Sequence, residues 1–128
     1  MKYNIGEIPS PTFTIIEEDL VNNLQLLNYV QTKTGVKIIC ALKGFSMWHV
    51  FPLVKKYLSG ATASSLNEAK LINEEMGVKA HTYCPVYLPD EFNELLNISN
   101  HLTFNSISEY ERYHKIAMAF SSDIKLGI

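Results

Sequence analysis

The sequence lacks the features that would tie it to a metal, a membrane or a nucleic acid. It has two cysteines, Cys40 and Cys84, and neither has a second cysteine or a histidine at the spacing of a metal site. No apolar run approaches the roughly 18 residues of a membrane helix, and residues 1–9 lack the apolar stretch of a signal peptide. With 11 Lys and Arg against 13 Asp and Glu, there is no basic stripe. These absences predict a cytoplasmic protein without a metal, membrane or nucleic-acid partner.

What is present is the composition of one ordinary domain, with helix and strand patterns that alternate. Of the 128 residues, 47% are hydrophobic and 19% are charged. The first helix is predicted from Glu17 to just before Gly35, because leucines recur on one face and acids fill its first turn. A second helix, begun by Pro52, is predicted to end at Gly60 and to be preceded by a loop. Capping boxes at Ser65 and Ser106 open later helices.

Five strands are predicted, and their ends are evenly spaced. The predicted strands are 36–42, 61–64, 78–84, 101–104 and 123–128. Their carboxyl ends fall near Lys43, Ser64, Cys84, Asn105 and Gly127, at steps of 21, 20, 21 and 22 residues. Strand–helix alternation at such steps is typical of parallel strands in a β/α barrel. Since a full barrel needs roughly 250 residues, the prediction is an α/β fold that forms about the first half of a (β/α)8 barrel. An open doubly wound sheet is the alternative.

Lys43 stands where the first predicted strand gives way to Gly44. Ligands of parallel α/β folds bind beyond the carboxyl ends of the strands. An amine at that place can pair with a phosphate or carboxylate as a cation, or attack an aldehyde or ketone once it is partly desolvated. Position alone leaves both roles open, together with that of a solvated lysine without chemistry.

Four segments carry a resemblance to a known family. CALKGFS at 40–46, YLSGATASSLNEAKL at 57–71, HTYCPVY at 81–87 and HLTFNSISEYERY at 101–113 resemble, in order and spacing, the N-terminal half of carboxynorspermidine decarboxylases. That family belongs to the alanine-racemase-like, fold-type III group of pyridoxal-phosphate enzymes. The resemblance runs from about residue 8 to the end of the chain. It implies an enzyme of polyamine biosynthesis that removes a carboxylate from a carboxylated polyamine.

The resemblance also implies roles for individual residues. Lys43 would carry pyridoxal 5'-phosphate covalently, with Ala41 as a small neighbour of the cofactor ring, and Ser64 and Asn105 would line the site. Ser65 is better explained as a helix cap. Related decarboxylases have an aspartate near position 61 or 62, which this sequence lacks, so no acidic role is transferred there. Among the four histidines, His81 and His101 fall on strands, and His49 alone is expected near the site.

Residues 1–128 are therefore expected to be the N-terminal portion of a cofactor-binding barrel, without its second half and the C-terminal β domain, and inactive alone. A homo-oligomer is expected, since an open half barrel leaves strand edges unpaired. The alternatives are a noncatalytic self-associating α/β module and a sibling fold-type III protein. The sequence does not distinguish carboxynorspermidine from carboxyspermidine as the substrate.

Overall fold

The computed structural model describes residues 5–128, in which helices alternate with the strands of a single sheet. The strands are β1 (Cys40–Ala41), β2 (Ala61–Ala63), β3 (Ala80–Tyr83), β4 (Ser99–Thr103) and β5 (Lys125–Gly127). The α-helices are α1 (Glu17–Thr34), α2 (Phe51–Val54), α3 (Leu66–Leu71), α4 (Pro89–Ile98) and α5 (Ile107–Phe120). A π-helical segment, Ile72–Met76, continues α3, and 3-10 turns occupy Ile5–Glu7 and Trp48–Val50. No helix in this part of the chain has the length and apolar character of a membrane span.

All five strands are parallel, and their order in the sheet is β1-β2-β3-β4-β5. Each strand thus pairs with the next one along the chain. An open doubly wound sheet reverses direction at a switch point, so its strand order is not sequential. A barrel of β/α units has the sequential order seen here. The predicted α/β class with parallel strands is confirmed, and the order favours the partial barrel over the open sheet.

The first predicted strand is much shorter than expected, because a side chain takes the place of a neighbouring strand. Of the predicted residues 36–42 only Cys40–Ala41 are strand. Ahead of them, the Ile38 N–H donates to Oε1 of Gln31 on α1, at 2.7 Å. The Gln31 amide in turn donates to the Tyr57 carbonyl at 2.8 Å, and the Ser59 hydroxyl donates to Gln31 Oε1 at 2.8 Å. Gln31 therefore takes the Ile38 N–H, while the Ile38 carbonyl accepts from the Ser59 N–H at 2.9 Å.

The second helix also differs from the prediction. It spans only Phe51–Val54 and does not continue to Leu58, because the chain tightens into i→i−3 hydrogen bonds. The Lys56 N–H donates to Leu53 and the Tyr57 N–H to Val54, at 3.1 and 3.0 Å. The segment before it, predicted as loop, is the 3-10 turn Trp48–Val50. The prediction of a regular helix there was wrong.

Both predicted capping boxes are present, and both extend to the end of a strand. Ser65 Oγ accepts from the Glu68 N–H, and Ser106 Oγ accepts from the Glu109 N–H, each at 3.2 Å. The glutamate side chains reach back past the caps: the Ser64 N–H donates to Glu68 at 2.6 Å. The Asn105 N–H likewise donates to Glu109 at 3.1 Å. These carboxylates fix the backbone of two predicted site residues.

The helices cover one face of the sheet with the hydrophobic core. The most buried strand residues on that face include Ala61, Ala63, Ala80 and Leu102. An aromatic cluster of Tyr87, Phe92, Phe104 and Tyr113 fills the space under α4 and α5. The Tyr87 hydroxyl lies 3.0 Å from the Thr82 carbonyl and 2.9 Å from the Thr103 carbonyl. It therefore ties the ends of β3 and β4 together.

A β-bulge interrupts the pairing of β3 with β4. Ala80 pairs with Ser99, but His81 pairs with His101, so Asn100 is the extra residue on β4. Ser99 and Leu102 both remain buried on the helix-covered face, because the bulge absorbs the change in side-chain alternation. The bulge sets the position of the histidines on the opposite face.

Candidate functional site

The carboxyl ends of the parallel strands lie along one edge of the sheet, and Lys43 lies at that edge. It follows β1 in a turn closed by hydrogen bonds from the Gly44 and Phe45 N–H groups to the Ala41 carbonyl, both at 3.0 Å. The Lys43 side chain is exposed, and its amine makes no hydrogen bond or ion pair with residues 5–128. The amine is therefore available to a ligand at this edge.

The other predicted site residues divide into two groups. Ala41 is half-buried on β1 and pairs with Thr62 of β2, while Ser64 follows β2 and is half-buried. Ala41, Lys43 and Ser64 thus lie on adjacent strands. Asn105 follows β4, three strands from β1 and about 14 Å along the sheet, and its side chain accepts a hydrogen bond from the Tyr83 hydroxyl at 2.6 Å. The structure therefore brings three of the four together.

A cavity of about 540 Å³ opens beside the Lys43 turn. Residues 44–49 line one side of it and residues 13–15 the other. The rings of Trp48 and His49 are stacked there at 3.6 Å. This places His49 close to the Lys43 turn, which is where the sequence predicts it.

The face of the sheet turned away from the helices is here called the open face. One row of side chains across it is polar on every strand except β1, which contributes Ala41. Ladder pairings align Ala41, Thr62, His81, His101 and Lys125 across the five strands. The rings of His81 and His101 are stacked, with centroids 3.9 Å apart and an interplanar angle of 17°. The row lies two residues below the strand ends that hold Lys43, Tyr83 and Thr103.

Sequence reasoning missed this histidine pair. It placed both histidines on strands but gave them no relation to each other. The sequence does carry one sign of the pair, because each histidine lies two residues before the end of its strand. His81 lies two residues before Tyr83, and His101 two residues before Thr103. Only the ladder register turns that coincidence into a contact.

The surroundings keep both imidazoles neutral. Burial lowers the pKa of His81 from its ordinary 6.5, and protonation of His101 and the charges of Lys37 and Lys125 lower it further. Burial also lowers the pKa of His101, with Lys125 and Lys37 adding to the effect. Nδ1 of His101 lies 2.9 Å from Oδ1 of Asn100, the bulge residue. Because that oxygen only accepts, the contact favours the tautomer with the hydrogen on Nδ1.

The two cysteines are free, and their thiols are poor nucleophiles. Burial raises the pKa of Cys84 to about 11, and the charges of Glu91, Glu109 and Glu68 contribute. Burial also raises the pKa of Cys40. Both side chains are protonated at neutral pH. Within residues 5–128, no three His, Cys, Asp or Glu side chains form a cluster that could hold a metal ion.

Comparison with known proteins gives one consistent group of relatives. No family model matches the chain. The carboxyaminopropylagmatine decarboxylase of Synechocystis sp. is 39% identical over 111 residues, which are 87% of this chain and 29% of that protein. The carboxynorspermidine/carboxyspermidine decarboxylase of Campylobacter jejuni is 37% identical over 122 residues, 95% of this chain and 32% of that protein. The enzyme of the same name from Herminiimonas arsenicoxydans is 36% identical over 106 residues, 83% of this chain and 29% of that protein.

A solved structure matches as well. It is carboxynorspermidine decarboxylase from Campylobacter jejuni in complex with norspermidine, with a TM-score of 0.86 and 35% sequence identity. The match covers 94% of this chain and 32% of the solved one. The chain therefore spans about a third of the length of the relatives it matches. Over that third, the predicted resemblance is confirmed: the chain is similar in sequence and in fold to the carboxynorspermidine and carboxyspermidine decarboxylases.

Proposed function

We propose that the chain supplies the lysine-bearing part of a pyridoxal-phosphate-dependent decarboxylase that acts on carboxynorspermidine or carboxyspermidine. One observation carries the proposal. The exposed Lys43 amine lies at the carboxyl edge of a sequential parallel sheet, in a chain 35–39% identical to decarboxylases of this class. The substrate class is that named by the Campylobacter and Herminiimonas relatives.

The residues around Lys43 fit an aldehyde cofactor. The neighbouring Ala41 and Gly44 are small, and a Cβ placed on Gly44 would meet only the Ala41 carbonyl oxygen, at an ordinary 3.5 Å. The space beside the turn is therefore open on the side of the cavity. The Ser64 hydroxyl makes no hydrogen bond with residues 5–128, so it can donate to a ligand on the adjacent strand.

Each of these residues would have a defined task. Lys43 would hold pyridoxal phosphate through its amine, and Ala41 would leave room for a flat ring above β1. Ser64 would donate a hydrogen bond, and Asn105 would line the far side of the site with its amide fixed by Tyr83. When bound, the cofactor supplies the conjugated ring that accepts the electron pair left by a departing carboxylate. The neutral imidazoles below would add no positive charge beneath it.

The wider context of the site is part of the proposal. Residues 1–128 would form the first part of a (β/α)8 barrel, with further strands pairing at the edges of β1 and β5. The complete enzyme would work as a homo-oligomer, and its compartment would be the cytoplasm, which suits the free thiols of Cys40 and Cys84.

A second substrate is favoured by a specific observation. The relative from Synechocystis, at 39% identity, is named for carboxyaminopropylagmatine, which makes that compound the other candidate. Identities of 39% and 37% are too similar to favour one substrate over the other. The reaction is therefore measured with both substrates.

The first experiment addresses Lys43 directly. The chain, completed with the unmatched two thirds of the Campylobacter jejuni decarboxylase, is incubated with pyridoxal phosphate, reduced with borohydride, digested and mapped. We expect label on Lys43, loss of that label in Lys43→Ala, and no change in the control Lys56→Ala, because Lys56 is exposed away from the strand ends. Label spread evenly over helical lysines would contradict the assignment.

The second experiment addresses the reaction. Residues 8–128 replace the matched third of the Campylobacter jejuni decarboxylase, and release of carbon dioxide from each candidate substrate is measured. We expect activity with at least one substrate, abolished by Lys43→Ala and retained in Lys56→Ala. A folded chimera that stays active as Lys43→Ala would overturn the proposal.

A further inference from the structure

Tyr83, the last residue of β3, is a large side chain whose hydroxyl makes a single contact. Its ring is 40% exposed and lies outside the aromatic cluster under α4 and α5. The hydroxyl donates to Oδ1 of Asn105 at 2.6 Å, and this is its only hydrogen bond with residues 5–128. Tyr83 therefore adds little to the core, and its main described contact is with the Asn105 amide.

Asn105 is fixed in both its backbone and its side chain. Its N–H donates to Oε2 of Glu109 at 3.1 Å, and Oε1 of that carboxylate accepts from the Tyr87 N–H at 2.8 Å. The Tyr87 hydroxyl ties the ends of β3 and β4, which sets the separation of Tyr83 and Asn105. Asn105 is exposed, and its Nδ2 makes no hydrogen bond with residues 5–128. The amide therefore presents two N–H donors in a fixed orientation.

A second free donor lies two residues before Asn105. Thr103 is half-buried on the open face, and its hydroxyl makes no hydrogen bond with residues 5–128. Gly127 of β5 pairs with it, and a Cβ on Gly127 would lie only 3.3 Å from Oγ1 of Thr103. The glycine therefore leaves the space beside this hydroxyl free. Two uncharged donors next to open space suit an acceptor group with two oxygens, such as a carboxylate.

The separation of Asn105 from Lys43 fits a carboxylate attached next to an amine. Their strands are three spacings apart in the sheet, which is about 14 Å. From standard bond lengths, a lysine side chain reaches about 6 Å and an asparagine side chain about 4 Å, so about 4 Å remain between the two nitrogens. A carboxylate on the carbon next to the reacting amine spans that gap. A phosphate at the other end of a cofactor ring lies too far from the amine.

We propose that Asn105 binds the carboxylate of the substrate through Nδ2, and that Tyr83 is a positioning residue that acts through Asn105. The inference rests on the proposed function, since its ligand is the carboxylated polyamine named by the Campylobacter and Herminiimonas relatives. When the carbon–carbon bond breaks, its electron pair stays on the substrate carbon and the carboxylate leaves as neutral carbon dioxide. The hydrogen bond with Asn105 therefore weakens in the transition state, so the amide contributes to binding and orientation and does not accelerate the reaction.

The test uses the chimera in which residues 8–128 replace the matched third of the Campylobacter jejuni decarboxylase. In its Lys43→Ala form, which prevents turnover, calorimetry compares carboxynorspermidine with norspermidine, which lacks only the carboxylate. Asn105→Ala should weaken binding of carboxynorspermidine by about tenfold, as for a hydrogen bond to a charged group, and leave norspermidine unchanged. Tyr83→Phe should weaken it by about threefold, because the amide is then free to rotate. The control Tyr110→Phe removes a hydroxyl that has no hydrogen bond with residues 5–128 and should change neither affinity.

Two further measurements separate positioning from a merely structural role. Tyr83→Phe added to Asn105→Ala should weaken binding no further than Asn105→Ala alone, because Tyr83 acts through the amide. In the active chimera, Asn105→Ala should raise KM by about tenfold without lowering kcat.

Several outcomes would overturn the proposal. They are unchanged binding of carboxynorspermidine in Asn105→Ala, additive losses in the double variant, and equal losses for norspermidine, which would assign the amide to the polyamine arm. Weaker binding of pyridoxal phosphate alone would assign the amide to the cofactor and would overturn it too. These affinities require neither turnover nor label on Lys43. Failure here is therefore distinguishable from failure of the proposed function, which borohydride labelling of Lys43 tests.

Discussion

The two faces of the sheet are built on different principles. On the helix-covered face, apolar side chains fill the core and the two buried polar groups, Thr82 and Ser99, satisfy each other through a hydrogen bond of 2.7 Å. On the open face, the central pair is two imidazoles surrounded by cations. No buried side-chain nitrogen or oxygen within residues 5–128 lacks a hydrogen-bond partner. The buried polar groups of the helix-covered face are therefore all paired within these residues. The imidazoles of the open face lie near the positive charges of Lys37 and Lys125.

The difference predicts that the helix-covered face contributes most of the stability and the open face little. Removing contacts from the completed face should destabilise the fold, because its groups have no alternative partners. Changes on the open face should leave the fold of the chain intact and alter what it binds. Four measurements test this difference between the two faces.

The largest effect is expected from the aromatic cluster. Phe92 is 2% exposed, stacks on Tyr113 at 4.3 Å and packs edge-on against Tyr87. Phe92→Ala should lower the free energy of unfolding by about 3–5 kcal/mol in denaturant titrations, because it opens a cavity. Phe13→Ala is the control, since Phe13 is 95% exposed. Equal effects of the two would mean that the helix-covered face is not the stable one.

A smaller loss is expected from the buried hydroxyl pair. Thr82→Val leaves the Ser99 hydroxyl without its partner and should cost about 1–3 kcal/mol of unfolding free energy. Thr103→Val makes the same chemical change on the open face and should be nearly neutral. The double variant Thr82→Val/Ser99→Ala should recover part of the loss. A larger cost for Thr103→Val would reverse the comparison.

The helix caps should matter less. Ser65→Ala removes the acceptor of the Glu68 N–H and should cost about 1 kcal/mol, as should Ser106→Ala at α5. Ser106→Thr keeps a hydroxyl acceptor at the same cap position and serves as the control. Thermal unfolding of the three variants measures the difference, and equal midpoints would show that the caps contribute nothing.

Acidification should produce the smallest effect. The folded chain lowers the pKa values of His81 and His101 below 6.5, so the unfolded chain binds protons more tightly. Stability is therefore fully present above pH 6.5, the ordinary pKa, and falls as the pH drops toward the folded values. The variant His81→Phe/His101→Phe should lose this dependence, and His49→Asn should keep it. Unfolding curves between pH 7 and pH 5, if unchanged by the double variant, would place the dependence elsewhere.

Much of the fold could be predicted because it depends on local signals. The glycine at the end of α1 adopts φ 75° with its N–H bonded to Gln31, and both capping boxes form as their spacing predicts. The even spacing of the strand ends also gave the parallel order. Such features depend on residues within a few positions or on a repeated step, both of which the sequence displays.

The features that could not be predicted depend on contacts across the fold. The shortened first strand reflects Gln31, a residue on α1 whose side chain accepts the hydrogen bond of the Ile38 N–H. The histidine pair depends on the bulge at Asn100, which sets the register of two strands. Lys43 and Ser64 could be assigned to one edge from their spacing, but the distance of Asn105 from them follows from strand order. Their roles in binding a cofactor remain predictions.

The sequential strand order has a consequence for how the chain folds. Every ladder in the sheet joins residues only 19 to 24 positions apart. Closing such loops costs little chain entropy, and no strand must wait for a distant segment before it pairs. The sheet can therefore grow one strand–helix unit at a time, starting at any pair of neighbours and spreading in both directions along the chain. A defect in one unit, such as a lost cap at Ser65, would slow the step that adds that unit and leave the pairing of the others unaffected.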